Sequence, residues 1–107
     1  MVSKMSYELV FLPIAHRDMR DAAMYIADEL KSPTAAANLL QEVRRQADTL
    51  HDAPYIYREY HGDPQNETIY RVMPVKNHLM FYTVDEESKT VVVHRFLYGR
   101  MDLDAIL

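Results

Sequence analysis

Three β-forming runs stand almost without interruption near the end of this chain: Tyr70–Val75, His78–Asp85 and Thr90–Leu97. Only Lys76-Asn77 separates the first two, and only Glu86-Glu87-Ser88-Lys89 the second two. Links this short make hairpins, so the runs are read as neighbouring antiparallel strands. The turns also set register. Pairing Val75 with His78 places Arg71 opposite Tyr82, and pairing Asp85 with Thr90 places Tyr82 opposite Val93, with Arg95 two places further along the same face. Arg71, Tyr82 and Arg95 then line one side. A slip of one residue in the second turn would bury Arg95, and an arginine buried without a partner is costly, so the first register is preferred. Strand arginines at 71 and 95, with Arg100 directly after the last strand, allow two readings. They pair with carboxylates on the solvent face of an antiparallel sheet, or they grip something anionic.

The front half changes period. Tyr7–Leu12 is a β-rich run closed by Pro13. Ala15, Met19, Ala22, Ile26 and Leu30 then recur at helical spacing, with Arg17, Asp18, Arg20, Asp21, Asp28 and Glu29 on the opposite face. Ser32-Pro33 reads as an N-cap followed by a proline at the first helical position. A second helix shows Ala36, Leu40, Val43, Ala47 and Leu50, and the short link forces an antiparallel helix hairpin. Asp52-Ala53-Pro54 ends it. Tyr55–Thr68 is a polar loop in which Tyr55, Tyr57 and Tyr60 alternate, forming a short strand or a flap packed on the helices. The expected fold is α+β, in the order β-α-α-β-β-β. The hairpin covers one face of a mainly antiparallel sheet, and the other face is partly open.

At 107 residues the chain is expected to be a single domain, 1–107, of ordinary globular composition, 49% hydrophobic and 26% charged. No apolar run approaches the roughly 20 residues that span a bilayer. Met1–Ser6 has no apolar stretch of a signal peptide, either Met1 or Met5 serves as the start, and a cytoplasmic location is the default. A formal charge of −4 argues against strong non-specific binding to phosphate backbones.

Familiar catalytic chemistry is scarce. The absence of cysteine removes disulfides and thiolate nucleophiles. Gly62 and Gly99 cannot make a phosphate-cradling loop. His16, His51, His61, His78 and His94 show no metal-ligand spacing, and neither metal nor cofactor is expected. His94 is either a general base or a surface strand histidine. The serines sit in termini and turns, with no nucleophile elbow.

Element order and motifs together resemble the RelE/ParE superfamily of bacterial toxins from type II toxin–antitoxin modules, over Tyr7–Leu107. The carriers are the opening strand, Ala15-His16-Arg17-Asp18-Met19, Tyr25-Ile26, Ser32-Pro33-Thr34-Ala35-Ala36 and Leu50 with Pro54. Tyr70-Arg71-Val72, Phe81-Tyr82-Thr83-Val84-Asp85 and Arg95-Phe96-Leu97-Tyr98-Gly99-Arg100-Met101-Asp102 complete the set. The resemblance implies a plasmid-stabilisation type of toxin that inhibits growth and is held inactive by an antitoxin, the complex also binding operator DNA.

It also implies one of two activities. RelE-like members are metal-independent endoribonucleases that cut messenger RNA on the ribosome, and their functional arginines map onto Arg71 and Arg100 as catalytic residues. Against this, the loop carries Arg58 but no lysine, and the tail-tyrosine position holds Ile106. ParE-like members poison DNA gyrase. Their closing motif is followed here, with Tyr98 where histidine is common, and this mode is slightly preferred. Target binding is assigned to Arg71, Arg95, Tyr98 and Arg100, and antitoxin binding to Met19, Tyr25 and Ile26. If they serve the target, Arg71 and Arg100 point outward with side chains not consumed by bidentate pairs; otherwise each pairs with a nearby carboxylate such as Asp85 or Asp102. A member that only binds an antitoxin-like partner is the remaining alternative.

Overall fold

The computed structural model describes residues 6–62, 64–65, 67–100 and 107. In chain order it contains β1 (Glu8–Phe11), α1 (Pro13–Asp28), α2 (Pro33–Asp48), a 3-10 turn (Thr49–His51), β2 (Glu59–Tyr60), β3 (Tyr70–Val75), β4 (His78–Asp85) and β5 (Thr90–Tyr98). The strands form one five-stranded sheet in the order β1-β5-β4-β3-β2. Only β1 and β5 run parallel, and the helices supply the crossover that a parallel neighbour requires.

Local chemistry explains the element ends. Pro13 opens α1 as well as closing β1, because its fixed φ suits the first helical turn. The Ser32 hydroxyl accepts the Ala35 N–H at 3.3 Å and caps α2. The helix hairpin packs on one face of the sheet. Ala15, Leu39, Val43, Ala47 and Leu50 meet Met73, Val75, Met80, Tyr82, Val91, Val93 and Phe96 in the main core. On the opposite face Val72, Phe81 and Leu97 make a smaller cluster, with Tyr60, Tyr70, Leu79 and Leu107 packed around it.

The expected pairings Arg71–Tyr82, Val75–His78, Tyr82–Val93 and Asp85–Thr90 are all present. Of the two forms open to the tyrosine loop, two residues in its first half take the short strand, β2, with Glu59 pairing Arg71 and Tyr60 pairing Tyr70. Three details differ. Leu39, not Leu40, occupies the core, being 1% exposed against 37%. Leu39 and Leu40 both fit the helical period between Ala36 and Val43, three or four places from each, and it is Leu39 that faces the sheet. Leu30 lies past the end of α1 and is exposed. Finally, β5 carries one extra residue, His94, between the pairs Tyr82–Val93 and Phe81–Arg95. This bulge hands the core position beside Met80 to Phe96 and turns Arg95 toward α1.

One carboxylate closes the sheet against the loop. Glu86 accepts hydrogen bonds from Lys89, Tyr55 and, at 2.7 Å, Tyr7. These three donors, Lys89 first, hold the pKa of its carboxyl down to about 2. The tyrosine side responds in the opposite sense, with Tyr55 pushed up to about 12, chiefly by the same carboxylate.

Leu39→Ala is expected to cost about 2–5 kcal/mol in urea unfolding, and Leu40→Ala about 1 kcal/mol or less. A depressed folded-state value means that Glu86 contributes fully above the ordinary glutamate value of about 4.3 and loses that contribution as pH falls toward the folded value. Glu86→Gln is therefore expected to flatten the fall of the urea midpoint across this acidic window. Parallel curves for the two proteins would assign the network no part in acid stability.

Candidate functional site: a groove between the first helix and the last strand

Asp18 begins the site. It lies on α1 beside the apolar stripe, three places after Ala15 and four before Ala22, so it faces the sheet margin rather than open solvent. Its carboxylate accepts Arg95 Nε at 2.7 Å, Arg95 Nη2 at 3.1 Å and the Phe96 backbone N–H at 3.0 Å. Both partners are largely covered, with side chains 22% exposed for Arg95 and 13% for Asp18. The carboxylate holds the Arg95 guanidinium above its ordinary value. The two-point geometry suits a planar cation, and it fixes the bulge in place.

Beyond this pair the surface opens into a groove of about 730 Å³. One wall is the last half of α1, with Asp21, Ala22, Tyr25 and Ile26, continuing to Leu30. The other wall is Phe96, Leu97 and Tyr98, with Asn77 of the β3–β4 turn and His78 at the start of β4. His78 stacks on Phe96 at 4.8 Å between ring centroids and 4° between planes, with the Tyr98 ring edge-on at 5.7 Å. Burial pushes its imidazole down from the ordinary value, so at neutral pH it is an uncharged slab. Its Nδ1 is buried without a hydrogen-bond partner among the described residues. Tyr25 and Leu30 are each 58% exposed and Tyr98 43%, so the walls present apolar surface outward.

Arg71 sits elsewhere. It is on β3 and Arg95 is on β5, either side of β4, about 10 Å apart by two interstrand spacings. Of the two readings open from sequence, Arg71 takes the paired one, with Glu59 as its carboxylate. Its side chain is 20% exposed and pairs with Glu59 at 3.3 Å. It also donates to the Tyr57 carbonyl at 2.8 Å and lies 4.8 Å over the Tyr55 ring. Next to it, the fully buried Tyr82 donates its hydroxyl to the Pro54 carbonyl at 2.8 Å. The extended loop backbone offers these carbonyls, and the two side chains satisfy them. Arg100 is exposed and has no ion pair among the described residues. Met101, Asp102 and Ile106 of the tail motif, and Met1 and Met5, lie outside the described residues.

Other expected residues fall as follows. Tyr25 and Ile26 line the groove, while Met19 is packed against the main core. Arg95 and Tyr98 line the same groove from the opposite wall. His94 is on the other face of the sheet, where its Nε2 lies 2.9 Å from the Thr83 hydroxyl and its ring meets Tyr70 edge-on. Burial lowers its proton affinity, and it does not meet the groove residues. Among the described residues no group of three or more His, Asp or Glu could hold a metal ion, and no helix is long and apolar enough to cross a membrane. Asp18 was missed from sequence because it was read as part of the polar face. The available signal was its flanking by stripe residues on both sides. No comparable signal marked Asn77 or His78.

The fold is a small α+β scaffold, with a helix hairpin on one face of a five-stranded sheet. The sequence model of the ParE toxin of the type II toxin–antitoxin system parDE matches residues 9–103, and the chain belongs to this family. None of the curated proteins matches the chain. Among solved structures, it resembles one from the chromosomal ParDE system of P. aeruginosa, with a TM-score of 0.68 and 15% identity over 89% of this chain and 98% of that one. It also resembles one from the RelBE2 toxin–antitoxin complex of Mycobacterium tuberculosis, with a TM-score of 0.56 and 19% identity over 87% of this chain and 98% of that one. At such identities the structural likeness speaks to the fold.

Asp18→Ala is expected to cost about 2–3 kcal/mol in chemical denaturation, since it strands a half-buried guanidinium and the Phe96 N–H together. In a double-mutant cycle, Arg95→Ala added to Asp18→Ala should cost far less than Arg95→Ala alone. Additive losses would show that the pair contributes no coupling.

Proposed function

We propose that this chain acts as a growth-inhibiting toxin on DNA gyrase and is neutralised by an antitoxin encoded beside it. The family membership supplies the toxin class. The state of the arginines supports the gyrase mode over ribosome-dependent RNA cleavage. A metal-independent ribonuclease needs several free cations converging on one phosphate. Here the Arg71 guanidinium is bound to Glu59, the Tyr57 carbonyl and the Tyr55 ring, and Arg95 to Asp18. In the ribonuclease reading Arg71 and Arg100 would be catalytic, and Arg71 would first have to leave these contacts. In the gyrase reading no enzymatic activity of the chain itself is required.

The groove is the proposed protein-binding site. Tyr25 and Ile26 on α1 bind the antitoxin, with Met19 supporting the helix from beneath. Tyr98, the bulge held by Arg95, and Arg100 just beyond β5 contact the target. Because Tyr25, Ile26, Arg95 and Tyr98 line one groove, an antitoxin there would cover target-binding surface directly. Arg71 contributes by holding the loop. In this reading the toxin works in the cytoplasm, the module stabilises the replicon that carries it, and the toxin–antitoxin complex binds operator DNA.

The test is induced expression followed by separate readouts. Growth arrest with induction of the DNA-damage response, relieved by the protein of the adjacent reading frame, is the expected result. Purified chain should inhibit gyrase supercoiling and leave ribosome-bound messenger RNA intact. Cleavage at codon boundaries would replace this reading with the ribonuclease one. Absence of any arrest would leave only a partner-binding protein. The two arginines should separate cleanly. Arg100→Ala is expected to weaken arrest with the thermal midpoint nearly unchanged, whereas Arg71→Ala should lower the midpoint by releasing the loop.

A further inference from the structure

Two cations stand together at one end of the sheet. The Gly99 N–H donates to the Asn77 carbonyl at 3.0 Å, one place beyond the last strand pair, His78–Tyr98. Lys76 and Arg100 are the next residues outward on the two sides of that bond, and both are exposed. Neither has an ion pair among the described residues. The described carboxylates nearby have other partners. Glu42 lies within electrostatic reach of Lys76, but Arg45 holds both of its oxygens, through Nε at 3.0 Å and through Nη2. In the neighbouring groove Asp18 is bound to Arg95, and Asp21 lies 3.9 Å from Arg20. Like charges on neighbouring strands repel, and an anion from outside would relieve that cost.

Resting on the gyrase reading above, we propose that Lys76 and Arg100 together grip the sugar–phosphate backbone of DNA while gyrase holds it. A duplex presents negative charges in close succession, one for every 3.4 Å or about that of rise along each strand, so two neighbouring cations each find an oxyanion. Protein surfaces crowd two carboxylates this closely only at a cost, because they repel. Arginine supplies a planar fork and lysine a point charge, and both suit phosphate. The rest of the chain sets the condition. With a net charge of −4 it is not drawn to free DNA. At physiological salt the Debye length is about 8 Å, so the pair acts at contact distance and more distant carboxylates are screened. The contact therefore forms where another protein has already brought the duplex to this end of the sheet, beside the exposed Tyr98.

The first measurement titrates the intact chain with a short labelled duplex, by fluorescence anisotropy, across a series of low salt concentrations. Weak binding that falls steeply with salt is expected. Lys76→Asn and Arg100→Gln should each reduce the slope of log affinity against log salt by about 0.9, and the double variant by about twice that. Asparagine suits position 76, whose backbone is left-handed with φ 54°. Circular dichroism checks the fold, and Lys76→Gly serves if the asparagine variant unfolds. Arg58→Gln is the control for net charge. Arg58 is exposed, and its carbonyl meets Val72, about 13 Å of strand from Lys76. Its loss should leave the slope nearly unchanged. The second measurement is gyrase supercoiling, where the double variant should need about tenfold more chain for the same inhibition. An equal loss from Arg58→Gln, a wild-type slope in the double variant, or no binding of the wild-type chain at low salt overturns the inference. So does weaker binding of the double variant to gyrase without DNA while its duplex titrations match the wild type, which assigns the cations to an acidic protein surface. A wild-type chain that leaves gyrase uninhibited removes the gyrase reading, while the duplex titrations still decide whether these two cations hold phosphate.

Discussion

The joint between Asp18 and the β5 bulge fixes how the first helix sits against the last strand. A helix lying on a sheet is positioned mostly by apolar contact, which is non-directional and tolerates sliding. Asp18 removes that freedom at one point. Its carboxylate meets a guanidinium in two places and a backbone N–H in a third. Those three bonds fix the distance between α1 and the end of β5. That distance is the width of the groove. The bulge in turn depends on the joint. One extra residue in a strand leaves main-chain groups without ladder partners, and the Phe96 N–H would be such a group without Asp18.

A second set of contacts performs the same task at the far edge of the sheet. The segment from Pro54 to Glu59 makes little regular structure, yet its carbonyls are occupied by Tyr82 and Arg71, and the Arg58 carbonyl accepts the Val72 N–H at 3.1 Å. Tyr55 then reaches Glu86, which also receives Tyr7 and Lys89. The first strand, the loop and the β4–β5 turn thus meet at one carboxylate. Individually such exposed bonds contribute little. Together they tie the loop to the sheet beside the short β2.

What could be read in the sequence was what depends on near neighbours. Hairpin registers follow from turn lengths, so the pairings of Arg71, Val75, Tyr82 and Asp85 were legible. The Ser32 cap and the apolar stripe of α1 were legible for the same reason. Leu39 was misjudged because steps of three and of four are equally helical, so spacing between Ala36 and Val43 admits either of the two adjacent leucines. The bulge at His94 and the Asp18–Arg95 pair were hidden because they join residues separated by 77 positions. A carboxylate on a polar face and an arginine in a strand each have many ordinary uses. Only the packed structure shows that they meet. For the same reason the carboxylate that occupies Arg71, Glu59, was not foreseen, and the groove emerged from residues assigned separately to target and antitoxin.

This distribution has a consequence for how such a protein can be controlled. Tyr25, Leu30 and Tyr98 remain exposed at a groove that is wide enough to receive side chains. Closing it by sliding α1 toward β5 would bury that surface and gain free energy on the order of 25 cal/mol for each Å² covered. The Asp18–Arg95 joint opposes the movement, since sliding would break a two-point pair and uncover a backbone donor in a poorly hydrated place. The sheet beneath cannot yield either, because Phe96 is locked among Met80, Val93 and the helices. The joint thus favours an open apolar groove over a collapsed one. A surface held open in this way loses less of any interaction energy to ordering.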